Sequence, residues 1–251
     1  MANYYYTVRL AGHVLRVGTL YLQTGIFLRD FIEKDADPEF TVEMKESDIR
    51  REWRRMLESP RYERDFVNRL PGYYFESFAL NRKISDRMLC FGTQAFHGSA
   101  AVVDGRCFVF SAESGVGKST WARMWAKHFG KRAYILNDDK PFLHVVNGKV
   151  TAYGSPWDGK HHAGRNAAAP LAAIGFLERG DAPGVQRMSP GEALEKMRFQ
   201  VFRPEAPEDF EKANLLLKEI SESIPAWRVR FTLDPSGIDT VYQSLCMEVQ
   251  P

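Results

Sequence analysis

The chain has 251 residues, of which 44% are hydrophobic and 26% charged, and its net charge is +2. That size calls for one larger α/β domain or a small domain beside a main one, and the composition is that of a folded globular protein. So small a charge gives no argument for nucleic acid or an anionic membrane, and no segment approaches the roughly 18 consecutive apolar residues of a membrane span. Partners of both kinds are therefore not expected. The start, Met1-Ala2-Asn3-Tyr4-Tyr5-Tyr6, shows no basic stretch followed by an apolar run. Cys90, Cys107 and Cys246 are odd in number and lack metal-ligand spacing. A reducing, cytoplasmic setting is the simpler expectation.

In chain order, Tyr4 to Leu10 and His13 to Leu20 are rich in tyrosine, valine, threonine and leucine around Ala11-Gly12, the pattern of a β-hairpin. Phe40 to Met44 is a further strand. Ser47 is placed to cap a helix whose apolar positions Ile49, Trp53, Met56 and Leu57 have helical spacing, and Pro60 ends it. Arg50, Arg51, Arg54 and Arg55 form a basic face, read as a solvated surface, and His13 is read as structural. Leu70-Pro71-Gly72 is a turn. A boundary near residue 85 separates an N-terminal α+β region, 1–84, from the part that carries chemistry, 85–251.

In that second part Ala100 to Val103 and Arg106 to Phe110 flank Asp104-Gly105, a strong hairpin signal. The second strand runs into Ser111-Ala112-Glu113-Ser114-Gly115-Val116-Gly117-Lys118-Ser119-Thr120, and a helix follows through Phe129. Strand, glycine turn, Gly-Lys-Ser and helix make the context of a phosphate-binding loop. Gly115 and Gly117 let successive N–H groups point at one spot, and the helix start adds free N–H groups and its dipole. Ser114, Gly115, Val116, Gly117, Lys118, Ser119 and Thr120 are thus the candidate nucleotide-binding set. Lys118 is suited to the β- and γ-phosphates and the Ser119 hydroxyl to Mg²⁺, with Thr120 less well placed. Ala112 stands where the usual pattern begins with glycine, which fits if it keeps a negative φ. Gly130 stops the helix, and the strand Ala133 to Leu136 leads into Asn137-Asp138-Asp139-Lys140. Two acids at the carboxyl end of a strand suit Mg²⁺ coordination and proton abstraction from a hydroxyl.

The run of His97-Gly98, a hairpin, Ser114-Gly115-Val116-Gly117-Lys118-Ser119 and a strand ending in Asp138-Asp139 resembles the HPr kinase/phosphorylase superfamily, which includes the ATP-type phosphoenolpyruvate carboxykinases. The uncharacterised bacterial HPr-kinase-like proteins are similar in pattern. The resemblance implies an α/β fold with the nucleotide loop at the rim of a bent, mainly antiparallel or mixed sheet. It implies that His97 and Asp138 assist phosphoryl transfer to a serine-type hydroxyl, with Asp139 nearer the metal. The later acid-and-glycine region and the lysine-bearing loop by which HPr kinases recognise their protein substrate have no counterpart here.

Instead, Tyr153-Gly154-Ser155-Pro156-Trp157-Asp158-Gly159-Lys160 forms a loop in which Trp157 is a candidate pocket wall and Lys160 a candidate phosphate or carboxylate contact. His161 and His162 are adjacent and do not share a face as metal ligands would. Leu171 to Leu177 is a buried strand, after which Glu178 is a weaker site candidate. Ser189-Pro190-Gly191-Glu192 opens a helix with a capping box, and Pro207 to Ile220 is a second helix with a Leu215-Leu216-Leu217 stripe. Trp227 to Leu233 is a strand and Ser236 to Leu245 a closing helix. The expectation is an ATP- and Mg²⁺-dependent kinase acting on a hydroxyl in a small molecule, peptide or protein, with oligomers compatible. A carboxykinase-like enzyme and a nucleotide-binding regulatory protein without an acceptor are the alternatives.

Overall fold

The computed structural model describes residues 1–113, 115–204, 206–232 and 234–246. The sequence readings at Ser114 and Leu233 lie outside the described residues. Contacts divide the chain into two units, Met1–Arg87 and Met88–Pro251.

In the first unit, β1 (Tyr4–Leu10) and β2 (His13–Thr19) pair antiparallel from Tyr4↔Thr19 to Leu10↔His13. The joining Ala11 and Gly12 both take positive φ, the turn that matches strand twist. Helix α1 (Leu22–Phe27) follows, and β3 (Phe40–Glu43) pairs parallel with β2. Helices α2 (Glu46–Glu58), α3 (Arg64–Arg69) and α4 (Gly72–Met88) pack around Met56, Val67 and Phe75. Helix α2 starts ahead of the expected Ser47 cap. The Asp48 carboxylate accepts the Lys45 N–H at 2.9 Å, the reciprocal half of a capping box, and this fixes the helix start at Lys45.

Helix α4 is not legible as a simple amphipathic pattern. Its inner side carries Glu76, Asn81 and Ser85 among Phe75, Ala79, Leu80 and Ile84, and buried polar residues break the apolar period. Glu76 is fully buried and accepts the N–H groups of Leu20 (2.6 Å) and Tyr21 (3.1 Å) and the Thr24 hydroxyl (2.5 Å). One carboxylate thereby satisfies the donors at the entry to α1 and ties it to α4.

The second unit is a mixed α/β fold. It contains β4 (Thr93–Ala95), β5 (Ser99–Val103), β6 (Arg106–Ser111), α5 (Lys118–Phe129), β7 (Ala133–Asn137), β8 (Phe142–Val146) and β9 (Lys149–Tyr153). After these come β10 (Ala168–Arg179), β11 (Gly184–Arg187), α6 (Pro190–Arg198), α7 (Pro207–Ser223), β12 (Ala226–Phe231) and α8 (Ile238–Cys246). The strand order is β4-β8-β9-β10-β6-β5-β7, and β12 joins β10 to β11. Pairings of β10 with β6 and with β12 are parallel, while the other pairings in this sheet are antiparallel. Strand β10 serves both halves. Ala168 to Pro170 pair with β9, the residues from Leu171 onward pair with β6, and the register shifts between Leu171 and Ala173. The sheet curls there.

Two tight turns organise the edges. Asp104-Gly105 and Asn147-Gly148 each have positive φ at both residues, the geometry that favours Asx-Gly between strands. The second turn joins β8 and β9 in a hairpin that carries the same Asx-Gly signal in its sequence. Asp104 is held by Arg132 and by the Tyr242 hydroxyl, and the Arg132 guanidinium draws its carboxyl down to about 2.

Both sheet faces are covered. Ala101, Val103, Phe108 and Phe110 cluster with Trp121, Trp125 and Phe129 of α5 and with Ile238, Val241 and Leu245 of α8. The alternate residues Ala100, Val102, Cys107 and Val109 cluster with Met197 of α6 and with Ala213, Leu216, Leu217 and Ile220 of α7. Leu215 departs from the expected stripe and is 63% exposed, because successive residues on a helix point about 100° apart. The Ser189–Glu192 capping box opens α6 as expected.

Replacing Glu76 with alanine leaves two N–H groups and a hydroxyl near α1 without their acceptor, at a cost of about 3 kcal/mol. Urea unfolding of the native chain and the Glu76→Ala variant checks this. A loss under about 1 kcal/mol would show that water replaces the carboxylate.

Candidate functional site

Strand direction assembles the site. β5 runs antiparallel to both β6 and β7 and lies between them, so β6 and β7 point the same way. Their carboxyl ends, Ser111 and Asn137, therefore emerge at one rim of the sheet, two strand spacings or roughly 10 Å apart. The amino end of β5 reaches the same rim and presents His97, Gly98 and Ser99 between them. β10 runs parallel to β6, with Phe176 opposite Ser111, so its last residue, Arg179, also arrives there.

The glycine loop after β6 curls back to α5. Gly115 and Gly117 have φ of +84° and +123°, which an L side chain rarely adopts, and Ala112 keeps a negative φ as its fit to the loop requires. Lys118 opens α5 with its side chain buried, and its ammonium donates to the carbonyls of Ala112 (2.9 Å) and Glu113 (3.3 Å). Ser119 is half-buried and Thr120 exposed. Helix α5 is anchored by Trp121 and Trp125, both fully buried, each worth roughly 2–3 kcal/mol of transferred apolar surface. The start of the helix is thus fixed against the sheet. On the outer side, the Arg179 guanidinium donates to the carbonyls of Val116 (2.9 Å) and Gly115 (3.3 Å).

At the end of β7, the Asn137 side chain locks the acidic turn. Its carbonyl oxygen accepts the N–H groups of Asp139 (2.9 Å) and Lys140 (2.7 Å), and its amide donates to the Ser155 carbonyl and hydroxyl. The Ser155 hydroxyl in turn donates to the Lys140 carbonyl at 2.6 Å. The two acids then go different ways, as adjacent residues leaving a strand do. Asp138 has a side chain only 1% exposed, and its Oδ1 is buried without a hydrogen-bond partner. Burial pushes its carboxyl up, while the hydroxyls of Ser99 and Ser119 and the charges of Arg123 and His161 act in the opposite direction. Arg123 Nη1 lies 3.9 Å from Asp138 Oδ2. Asp139 is about a third exposed, with His97 Nε2 at 3.5 Å and Lys140 Nζ at 3.3 Å from its Oδ1. The family resemblance grouped His97 with Asp138 in assisting phosphoryl transfer; in the structure the His97 ring stands against Asp139.

His97 is tied to the rim through its main chain. Its N–H donates to the Gln200 carbonyl (2.7 Å) and its carbonyl accepts the Ser111 hydroxyl (2.8 Å), while Gly98 N–H donates to the Asp139 carbonyl (3.0 Å). The loop after β9 lies against the acids: a Cβ on Gly159 would stand 3.5 Å from the Asp138 carbonyl oxygen and from Asp139 Cβ. Trp157, expected as a pocket wall, is buried. Its ring meets Phe142 edge-on, its N–H donates to Ser155 Oγ, and its carbonyl accepts the Lys140 N–H. It props the acidic turn. Lys160 is exposed on the same loop, whose base is held by Asp158 through His162 and the Gly164 N–H. Glu178 pairs with Lys196 and Arg228.

Several participants were not read from sequence. Arg123 was detectable, since it follows Ser119 by four residues and so shares its helix face. Ser99, Ser155 and Arg179 reach the rim only through strand pairing, and no local pattern marks them.

No family model matches the chain, and no curated protein matches it. Among solved structures, it is similar to the Hpr(Ser) kinase/phosphatase from Coxiella burnetii, at 14% identity and a TM-score of 0.37, over 60% of this chain and 95% of that one. Fold and rim together define a mixed α/β protein with a curled mixed sheet. Among the described residues no helix is long and apolar enough to cross a membrane.

The raised Asp138 carboxyl has a consequence for stability. The folded chain holds that proton more tightly than the unfolded chain. Its contribution is therefore fully present below the ordinary aspartate value of about 3.9 and is lost as pH rises through the higher folded value. Asp138→Asn is expected to resist urea better than the native chain at pH 7, and the difference should close below about pH 4. An Asn variant less stable at pH 7 would show the buried carboxylate to be compensated within the fold.

Proposed function

We propose that the chain is an ATP-dependent phosphotransferase that moves the γ-phosphoryl group to a hydroxyl of serine type. The observation that carries this reading is Asp138 Oδ1, a buried carboxylate oxygen with no partner, on a side chain near the Ser119 hydroxyl and at the same rim as the glycine loop. A buried carboxylate with one oxygen left without a partner by its own fold has room for a ligand that compensates it. Ser119 and Asp138 are the right hard oxygen donors for Mg²⁺. Mg²⁺ bound there would neutralise charge on the β- and γ-phosphate oxygens.

The N–H groups of the loop and of the first turn of α5 bind the phosphates. Lys118 exchanges the carbonyls of Ala112 and Glu113 for phosphate oxygens. Asp139 takes the proton of the acceptor hydroxyl as the new O–P bond forms and ADP leaves with the electrons of the broken bond. Its exposure suits that task better than the buried Asp138, and His97 and Lys140 hold its carboxylate in place. This exchanges the roles that the family resemblance implied, where Asp138 was the base and Asp139 the acid nearer the metal.

Lys118→Ala should weaken ATP binding by about 10- to 100-fold with the fold intact, the loss of one or two charge-assisted hydrogen bonds. Calorimetry with ATP checks it, and undiminished affinity would remove the loop from nucleotide binding. The two acids are separated by Mg²⁺ titration of ATP turnover in cell extract, followed by phosphorus NMR. Asp138→Asn should raise the Mg²⁺ requirement. Asp139→Asn should lower turnover by roughly two to four powers of ten at any Mg²⁺ concentration, with ATP binding little changed. Tight ATP binding without any phosphorylated product would instead favour a nucleotide-dependent regulatory protein.

A further inference from the structure

The glycine loop is gripped from two directions by two cations, and only one of them is the lysine of the motif. Lys118 donates to the carbonyls of Ala112 and Glu113. Arg179, more than sixty residues away in sequence, donates from Nε to the Val116 carbonyl at 2.9 Å and from Nη2 to the Gly115 carbonyl at 3.3 Å. It is carried there by β10, whose parallel register with β6 sets Phe176 beside Ser111 and leaves Arg179 alongside the loop.

The peptide bonds of the described chain are all trans. In a trans peptide the carbonyl and the following N–H point in opposite directions. A guanidinium that draws the Gly115 and Val116 carbonyls outward therefore turns the N–H groups of Val116 and Gly117 away from itself, to the other side of the loop. The Val116 N–H donates to the Glu113 carbonyl at 3.4 Å, a long bond that a polyphosphate oxygen would replace, and the Gly117 N–H is the second donor that it would meet. Gly115 and Gly117 give this segment more backbone freedom than any other residue type would, so its donors converge only if something holds the peptide planes. A planar fork holds two successive carbonyls at a fixed angle and spacing, whereas a lysine reaching two carbonyls does so through rotatable donors on a flexible stem and fixes the peptide planes less firmly.

We propose that Arg179 is a positioning residue for polyphosphate binding, orienting the Val116 and Gly117 N–H groups by holding the carbonyls behind them. This rests on reading the loop as a phosphate site. It adds that the preorganisation of the loop comes from the far end of a neighbouring strand.

The test is calorimetry with inorganic triphosphate and, separately, adenosine, on the full chain and on Arg179→Ala, Arg179→Lys and Lys118→Ala, with melting temperatures recorded without ligand. Triphosphate should bind Arg179→Ala about tenfold more weakly than the native chain, the loss of charge-assisted hydrogen bonds at an exposed position. Arg179→Lys should recover only part of this. Adenosine binding and melting temperature should be unchanged. Low millimolar guanidinium should restore affinity to Arg179→Ala and leave Lys118→Ala unaffected. If the native chain and Arg179→Ala bind triphosphate equally, the assignment of Arg179 is wrong while the loop reading stands. A loss that extends equally to adenosine, or that guanidinium does not restore, marks a general loosening and also overturns it. If the native chain itself does not bind triphosphate, the phosphate reading of the loop fails and the role of Arg179 falls with it.

Discussion

Everything at the candidate site depends on β5 lying antiparallel between β6 and β7. That arrangement makes the two outer strands co-directional, so the glycine loop and the acidic turn leave the sheet at one rim. It also brings the start of β5, with His97 and Ser99, into the space between them. Strands buried on both faces hold this arrangement rigidly. A one-residue slip would exchange the residues facing α5 and α8 with those facing α6 and α7, and the two sets differ greatly in volume. The large Phe108 and Phe110 cannot trade places with Cys107 and Val109 without opening cavities on one side and overfilling the other.

The rim itself is less settled than the sheet beneath it. Asp138 is buried with one oxygen unsatisfied, which disfavours its charged form, although the turn that presents it is held by Asn137, Ser155 and the main chain of Trp157. Local strength therefore goes into fixing a group whose own state is unfavourable. That combination is characteristic of sites arranged for a ligand and not for stability alone. Lys118 is the opposite case, since its buried ammonium is satisfied by the carbonyls of Ala112 and Glu113 in the glycine loop.

The first unit follows a different logic. Its three-stranded sheet and helices are joined through Glu76, a buried carboxylate fully committed to donors around α1. The contrast with Asp138 is instructive, because both are buried acids but only one is left with an open oxygen. Burial alone does not distinguish the two acids; the unmet hydrogen bond at Asp138 does.

The sequence by itself determined the local elements whose signals lie within a few residues: the Ala11-Gly12 and Asp104-Gly105 turns, the glycine loop with its helix, the strand into Asn137-Asp138-Asp139 and the Ser189–Glu192 box. These depend on φ preferences, caps and short-range periodicity, which neighbouring residues set. Helix α4 escaped because its inward Glu76, Asn81 and Ser85 erase the apolar period, and their partners, such as Leu20 for Glu76, lie far away in sequence. The site divided in the same way. Lys118 and Ser119 were legible from spacing, and the acids from their place after a strand. Only the tertiary structure decided which acid meets His97, that Trp157 is a buried prop, and that Arg179 reaches the loop. Each of those facts depends on which strands lie side by side and in what register, and register is fixed by the packing of two opposite sheet faces, not by any stretch of sequence near the site.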